Sequence, residues 1–215
     1  KGANDVLPLP EVSVDRFRVL PTTDPNDFEL YEAIDVIEQV VPKNPDIGLY
    51  NISFGPVGPI LDDDISRFTY SLDTLTSSIA ENHENPLFSI AVGNDGQEPE
   101  PFNRIQSPAD LVNGLSVGAY SVDSSGNRVR ATYSCVGPGR EGAKVKPDLL
   151  EFGGDISKPF VVADMHGNLL TATAGTSFAS PLVVHKIGSI LARSEDITPH
   201  MARMLMLHYA DHDDS

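Results

Sequence analysis

The chain has 215 residues, 40% hydrophobic and 21% charged, which suits a single globular domain with a sizeable core. Its formal net charge is −16, from 15 Lys+Arg against 31 Asp+Glu, and this argues against nucleic-acid or anionic-membrane partners, which select a basic face. Cys135 is the single cysteine, so an internal disulfide is excluded, and no apolar run approaches the ~20 residues of a membrane span.

Residues 1–13 read as an irregular arm and 15–210 as the core of one α/β domain. Residues 15–20 alternate like a strand. Asp24-Pro25-Asn26-Asp27 supply turn and cap chemistry. Phe28, Tyr31, Ile34, Ile37 and Val41 then predict a helix over 27–41 with one buried face, stopped by Pro42 and Pro45. Residues 47–53 read as a buried strand. Asp62, Asp63 and Asp64 fit a helix N-terminus, where the dipole favours acid, and Ile65, Phe68, Leu72, Leu75 and Ile79 carry that helix to about 82. Residues 87–92 form a short apolar strand broken at Gly93-Asn94-Asp95-Gly96, and a proline-rich loop follows from Pro99 to Pro108. Residues 114–121 and 128–134 predict two strands around the turn at 123–127. Strand signals between 145 and 173 are weak. Helices are predicted over 177–193 and 199–209, the second with Met201, Met204, Leu205 and His208 on one face. Strand–helix alternation over the first hundred residues implies a mostly parallel sheet with helices on both sides.

The chemistry concentrates in Ala174-Gly175-Thr176-Ser177-Phe178-Ala179-Ser180-Pro181. A Gly-Thr turn opens an apolar helix with a serine in its first turn. Unpaired N–H groups and the partial positive charge at that end suit Ser177 to attack a carbonyl and hold the resulting oxyanion. The alternative is that Thr176 or Ser177 simply caps the helix.

Gly-Thr-Ser-Phe-Ala-Ser-Pro resembles the nucleophile motif of the subtilisin-like serine proteases, Gly-Thr-Ser-x-Ala-x-Pro. Asn51-Ile52-Ser53-Phe54-Gly55 is similar to that family's Asn-x-Ser-x-Gly strand, and Ala91-Val92-Gly93-Asn94 to its Ala-x-Gly-Asn turn, all in the family's order. Residues 115–120 and the closing helix also match in position, so the resemblance runs over roughly 15–210. It implies a subtilisin-like three-layer fold and cleavage of polypeptides through an acyl-enzyme on Ser177. By resemblance, Asn94 and the Ser177 N–H form the oxyanion hole. Ser53, Phe54 and Gly55 pair with substrate as an added strand, while Ala91, Val92 and Gly93 wall a specificity pocket and Thr176 contributes to binding. The alternatives from the residues alone are a turn role for Asn94 and an ordinary strand role for Ser53.

A serine nucleophile needs a base and an orienting carboxylate. In this family they precede the serine as Asp, then His. The expected Asp-Ser/Thr-Gly and His-Gly-Thr strings are absent, and the one His-Gly, at His166-Gly167-Asn168, follows the strands it should precede. With Lys1 rather than Met at the start, the expectation is a catalytic domain truncated on its N-terminal side and inactive by itself. The alternative is a catalytically dead subtilase fold that binds extended peptides. Truncation would also expose a sheet edge and invite self-association. No cofactor is expected. Structural Ca²⁺ at Asp62–Asp64 is the weaker reading of a helix start. Gly114-Leu115-Ser116-Val117-Gly118 matches the esterase elbow by letter but continues a strand. Asn51-Ile52-Ser53 matches a glycosylation sequon in a strand read as buried. His185 reads as a packing or surface residue, and the acidic tail around His212 as a solvated end. One cysteine and no visible leader favour the cytoplasm slightly over secretion, without deciding localisation.

Overall fold

A computed structural model of the chain describes residues 12–20, 23–77, 85–140, 145–163 and 169–211. In chain order the elements are α1 (Tyr31–Lys43), β1 (Leu49–Ile52), α2 (Arg67–Ser77), β2 (Leu87–Ala91), β3 (Leu115–Val122), β4 (Arg128–Arg130), β5 (Leu149–Phe152), β6 (Phe160–Ala163), β7 (Leu170–Thr173), α3 (Thr176–Leu191) and α4 (Pro199–His208). β1, β2 and β3 run parallel, with Asn51 opposite Ser89 and Ser89 opposite Leu115. The long β3 also pairs parallel with β5 through its middle and antiparallel with β4 at its end. β6 and β7 form a separate antiparallel hairpin.

The period of two along each strand sorts side chains into two cores. Tyr50, Ile52, Phe88 and Ile90 face α1 and α2, where Ile34, Ile37, Val41, Phe68 and Leu72 complete the packing. Leu49, Leu87, Leu115, Val117 and Ala119 face the other way, onto Ala179, Val183 and Ile187 of α3 and Ala202 of α4. Helices therefore cover both faces of a mostly parallel sheet, in the three-layer arrangement expected from strand–helix alternation. An ion network anchored on the buried Asp110 ties the loop before β3 to α2. Arg140 Nε donates to Asp110 at 2.9 Å, and Asp73 of α2 accepts the backbone N–H groups of Val112 and Asn113.

Several local expectations change. Residues 15–20 form no strand, because among the described residues no neighbouring chain supplies a ladder. α1 starts at Tyr31 instead of 27, because the Asp27 carboxylate accepts from the N–H groups of Tyr31 and Glu32, at 2.7 and 2.8 Å, and so lies outside the helix as its cap. Phe28 and Tyr31 are consequently exposed, while Ile34, Ile37 and Val41 are buried as their spacing predicts. The helix ends one residue past Pro42, which its last turn tolerates. Asp62–Asp64 lie in an exposed loop and do not start α2, whose cap is Ser66, with its Oγ accepting from Thr69 N at 3.1 Å. The predicted continuation of α2 to 82, with Ile79, lies outside the described residues. β4 stops at Arg130 because 131–134 form a turn, in which Ser134 N donates to the Ala131 carbonyl at 2.8 Å. On α4 the face with Met201, Met204 and Leu205 is exposed, and Pro199 and Ala202 are the buried residues. Asn51, expected inside a buried strand, is exposed at the upper end of β1. Across from β2, the other edge of β1 carries no strand among the described residues.

Candidate active site

The carboxyl ends of β1 and β2 meet the N-terminus of α3, the place where open α/β sheets hold their ligands. The segment that turns there is Gly93-Asn94. Gly93 has φ +106°, and a Cβ on it would stand 2.8 Å from the Gln106 side chain and 3.0 Å from Cys135 Sγ, so glycine is required on both counts. The turn aims Asn94 at α3. Its Oδ1 accepts from Thr176 N at 2.9 Å and from Thr176 Oγ1 at 3.0 Å. Two donors on one side of the amide fix its orientation, so Nδ2 points the other way, where no described residue accepts from it. Thr176 is wholly buried, and its hydroxyl also lies 3.3 Å from the Gly93 carbonyl.

Ser177 follows as a half-buried residue in the first turn of α3. Nothing among the described residues accepts its backbone N–H. Two donors, the Ser177 N–H and Asn94 Nδ2, are thus left without a described acceptor at the start of α3. The Ser177 Oγ lies 3.4 Å from the Ser53 carbonyl, and Ser53 Oγ donates to the Ser177 carbonyl, also at 3.4 Å. Thr176 does not cap the helix through its side chain; the cap contact comes from Asn94, across the fold.

The flanking segments differ in what they expose. Phe54 packs its ring on Phe68, with centroids 6.0 Å apart. A Cβ at Gly55 would run into the Ser107 carbonyl. Val92 is buried in the core, its N–H bonded to Val117 O and its carbonyl to Gln106 N, whereas Ala91 and Gly93 stay half-buried. Beneath the α3 turn, Phe178, Phe160 and Phe152 stack in a row with centroid spacings of 5.2 and 6.1 Å. Tyr133 Oη donates to the Gly154 carbonyl at 2.9 Å, and burial pushes its phenol up to about 12.

No described histidine or carboxylate contacts Ser177. His185 is exposed on α3, and His166 and His212 lie outside the described residues. Ser116, the esterase-like alternative, is buried within β3 with its Oγ bonded to Asp148 Oδ2 at 2.8 Å, so it cannot present a nucleophile at a strand-to-helix elbow. Among the described residues no group of three or more metal-binding side chains occurs. The sequence motifs gave roles to Ser177, Asn94 and Thr176 but none to Asn51 and Pro181, which stand in the same motifs and whose parts at this site are described below. Pro181 stands in the motif, and only its helical position, four residues after Ser177, signals what it removes.

An α/β fold whose helix N-terminus carries a serine next to a threonine that clamps an asparagine is the architecture of the subtilisin-like fold. Residues 9–215 match the model of the subtilase family, peptidase S8, and the chain belongs to that family. It is similar in structure to the "S41 Psychrophilic Protease" (22% identical, TM-score 0.61, covering 82% of this chain and 55% of that one). Sphericase gives 18% and 0.60, again covering 82% and 55%. The self-cleaved protease domain of PatA gives 26% and 0.58, covering 84% and 59%. In sequence it is 31% identical over 145 residues to the uncharacterized protein y4bN of Sinorhizobium fredii (strain NBRC 101917 / NGR234), covering 52% of this chain and 33% of that protein. The chain thus spans a third of that curated relative and little more than half of the solved neighbours.

Proposed function

We propose that this chain carries the nucleophile and oxyanion hole of a serine endopeptidase. Ser177 Oγ attacks the scissile carbonyl carbon as a base takes its proton. The Ser177 N–H and Asn94 Nδ2 hold the oxyanion. The C–N bond then breaks as the same base protonates the leaving amine, and water hydrolyses the acyl-enzyme. The substrate is an extended polypeptide laid against the Ser53–Gly55 backbone, with Ala91 and Gly93 on the opposite wall. Acyl transfer of this kind draws on no cofactor.

The observation that carries this reading is the double clamp of Thr176 on Asn94 Oδ1, which leaves the amide's Nδ2 to donate elsewhere at the α3 N-terminus that carries Ser177. The base and its orienting carboxylate come, in this proposal, from protein outside these 215 residues, in keeping with the partial coverage of the solved neighbours. The 215-residue chain alone is then expected to retain only binding and oxyanion effects, roughly 10³–10⁴ over water. The test is labelling with a fluorophosphonate probe in the full-length protein, with Ser177→Ala alongside. Labelling that vanishes in the variant supports the endopeptidase. A folded full-length protein that does not label would instead be a subtilase fold that binds peptides without cleaving them.

A further inference from the structure

On the α3 side of the sheet, β1 carries the exposed Asn51 and β2 the buried Ser89. These side chains are joined. Ser180 Oγ donates to Asn51 Oδ1 at 2.7 Å, and Ser89 Oγ lies 2.8 Å from Ser180 Oγ. Asn51 Nδ2 donates to Ser53 Oγ at 3.0 Å, and Ser53 Oγ reaches the Ser177 carbonyl at 3.4 Å.

Counting protons gives this chain a direction. Ser180 has one hydroxyl proton and gives it to Asn51, so Ser89 must be the donor in the Ser89–Ser180 contact. Asn51 Nδ2 fills the acceptor side of the Ser53 hydroxyl, so the Ser53 proton points at the Ser177 carbonyl. That carbonyl is open to it because of Pro181. In an α-helix the carbonyl of residue 177 would accept from the N–H of residue 181, and proline has none. The series runs from buried Ser89 and Ser180 to the peptide unit of the nucleophile, each bond polarising the next. Its last step is long, so it depends on the direction imposed upstream.

We propose that Asn51 is a positioning residue for Ser177: its amide directs the Ser53 hydroxyl onto the Ser177 carbonyl and so fixes the nucleophile's peptide unit against β1. The inference rests on Ser177 being the nucleophile. Asn51→Asp separates it from a merely structural role. Aspartate still accepts from Ser180, but it has no donor for Ser53 and offers a stronger acceptor, which draws the Ser53 proton away from Ser177.

The experiment is fluorophosphonate labelling of the full-length protein, resolved into a limiting rate and a half-saturating probe concentration, with Ser177→Ala as the blank. Asn51→Asp and Asn51→Ala are each expected to lower the limiting rate about tenfold, the size of one lost orienting hydrogen bond, with half-saturation nearly unchanged. Asn51→Asp is expected to melt close to the wild type and so keeps the test open where Asn51→Ala folds poorly. An Asn51→Asp protein that labels at the wild-type rate overturns the inference, as does a slow one whose melting temperature and half-saturation have both collapsed. A wild type that fails to label overturns the endopeptidase reading and this inference with it, a result distinct from an Asn51 variant that labels normally.

Discussion

Thr176→Val tests the clamp on Asn94 with almost no change of volume. The wild-type hydroxyl sits 3.0 Å from Asn94 Oδ1 and 3.3 Å from the Gly93 carbonyl, in a wholly buried position. Valine removes both contacts but orphans neither acceptor. Asn94 Oδ1 keeps the Thr176 N–H at 2.9 Å, and the Gly93 carbonyl keeps the Cys135 N–H at 3.2 Å. The loss should therefore be that of one neutral hydrogen bond, about 1 kcal/mol, without the larger penalty of an unsatisfied buried group. For a domain of this length that lowers the melting temperature by roughly 2–4 °C. Asn94 is then held by one donor and can rotate, so its amide spends less time aimed at the oxyanion. Labelling of the full-length protein should slow by about tenfold or less, well short of Asn94→Ala, for which the loss of such a donor in a subtilisin, ~10²–10³ in turnover, sets the scale. Calorimetry and labelling rates check the two halves. A Thr176→Val protein that labels as fast as wild type, or as slowly as Asn94→Ala, would refute the clamp.

Arg140→Met should destabilise the protein by about 3 kcal/mol or more, because it leaves the nearly inaccessible Asp110 carboxylate with the Thr69 hydroxyl as its remaining side-chain partner; denaturant melts measure this. Burial pushes the Cys135 thiol up from its ordinary value, so native protein should react slowly with iodoacetamide at pH 8 and fully once unfolded. Because the folded state holds this proton more tightly, the thiol's contribution to stability is complete below the ordinary thiol range and declines as pH rises through it; a flat melting temperature in alkaline titration would count against it. The 215-residue chain, with the outer edge of β1 open among its described residues, is expected to self-associate. Light scattering that finds a monomer at every concentration removes that expectation.

Motif and periodicity carried a large part of this protein. The Gly-Thr-Ser string located Ser177 because a helix start after glycine is a local arrangement, encoded in neighbouring residues. Ile34, Ile37 and Val41 were legible for the same reason, since their spacing reports one helix face. Phe28 fell outside that helix because Asp27 took the capping role, a competition between two local patterns that spacing alone does not rank. The strand expected at 15–20 has the right alternation, but a strand exists only through a partner, and none stands beside it among the described residues.

What the sequence by itself determined is the fold class, the family, and the identity of a serine and an asparagine in the right order. Only the tertiary structure decided which end of the Asn94 amide α3 holds, because that depends on Thr176, 82 residues away along the chain and in direct hydrogen-bond contact. It alone decided that Asn51, Ser180 and Ser89 form one directed series, since their hydrogen bonds cross from β1 to α3 and β2. Hydrogen bonds are short-ranged and directional, so a site built from them is fixed by where the fold brings distant residues together, which local pattern does not record.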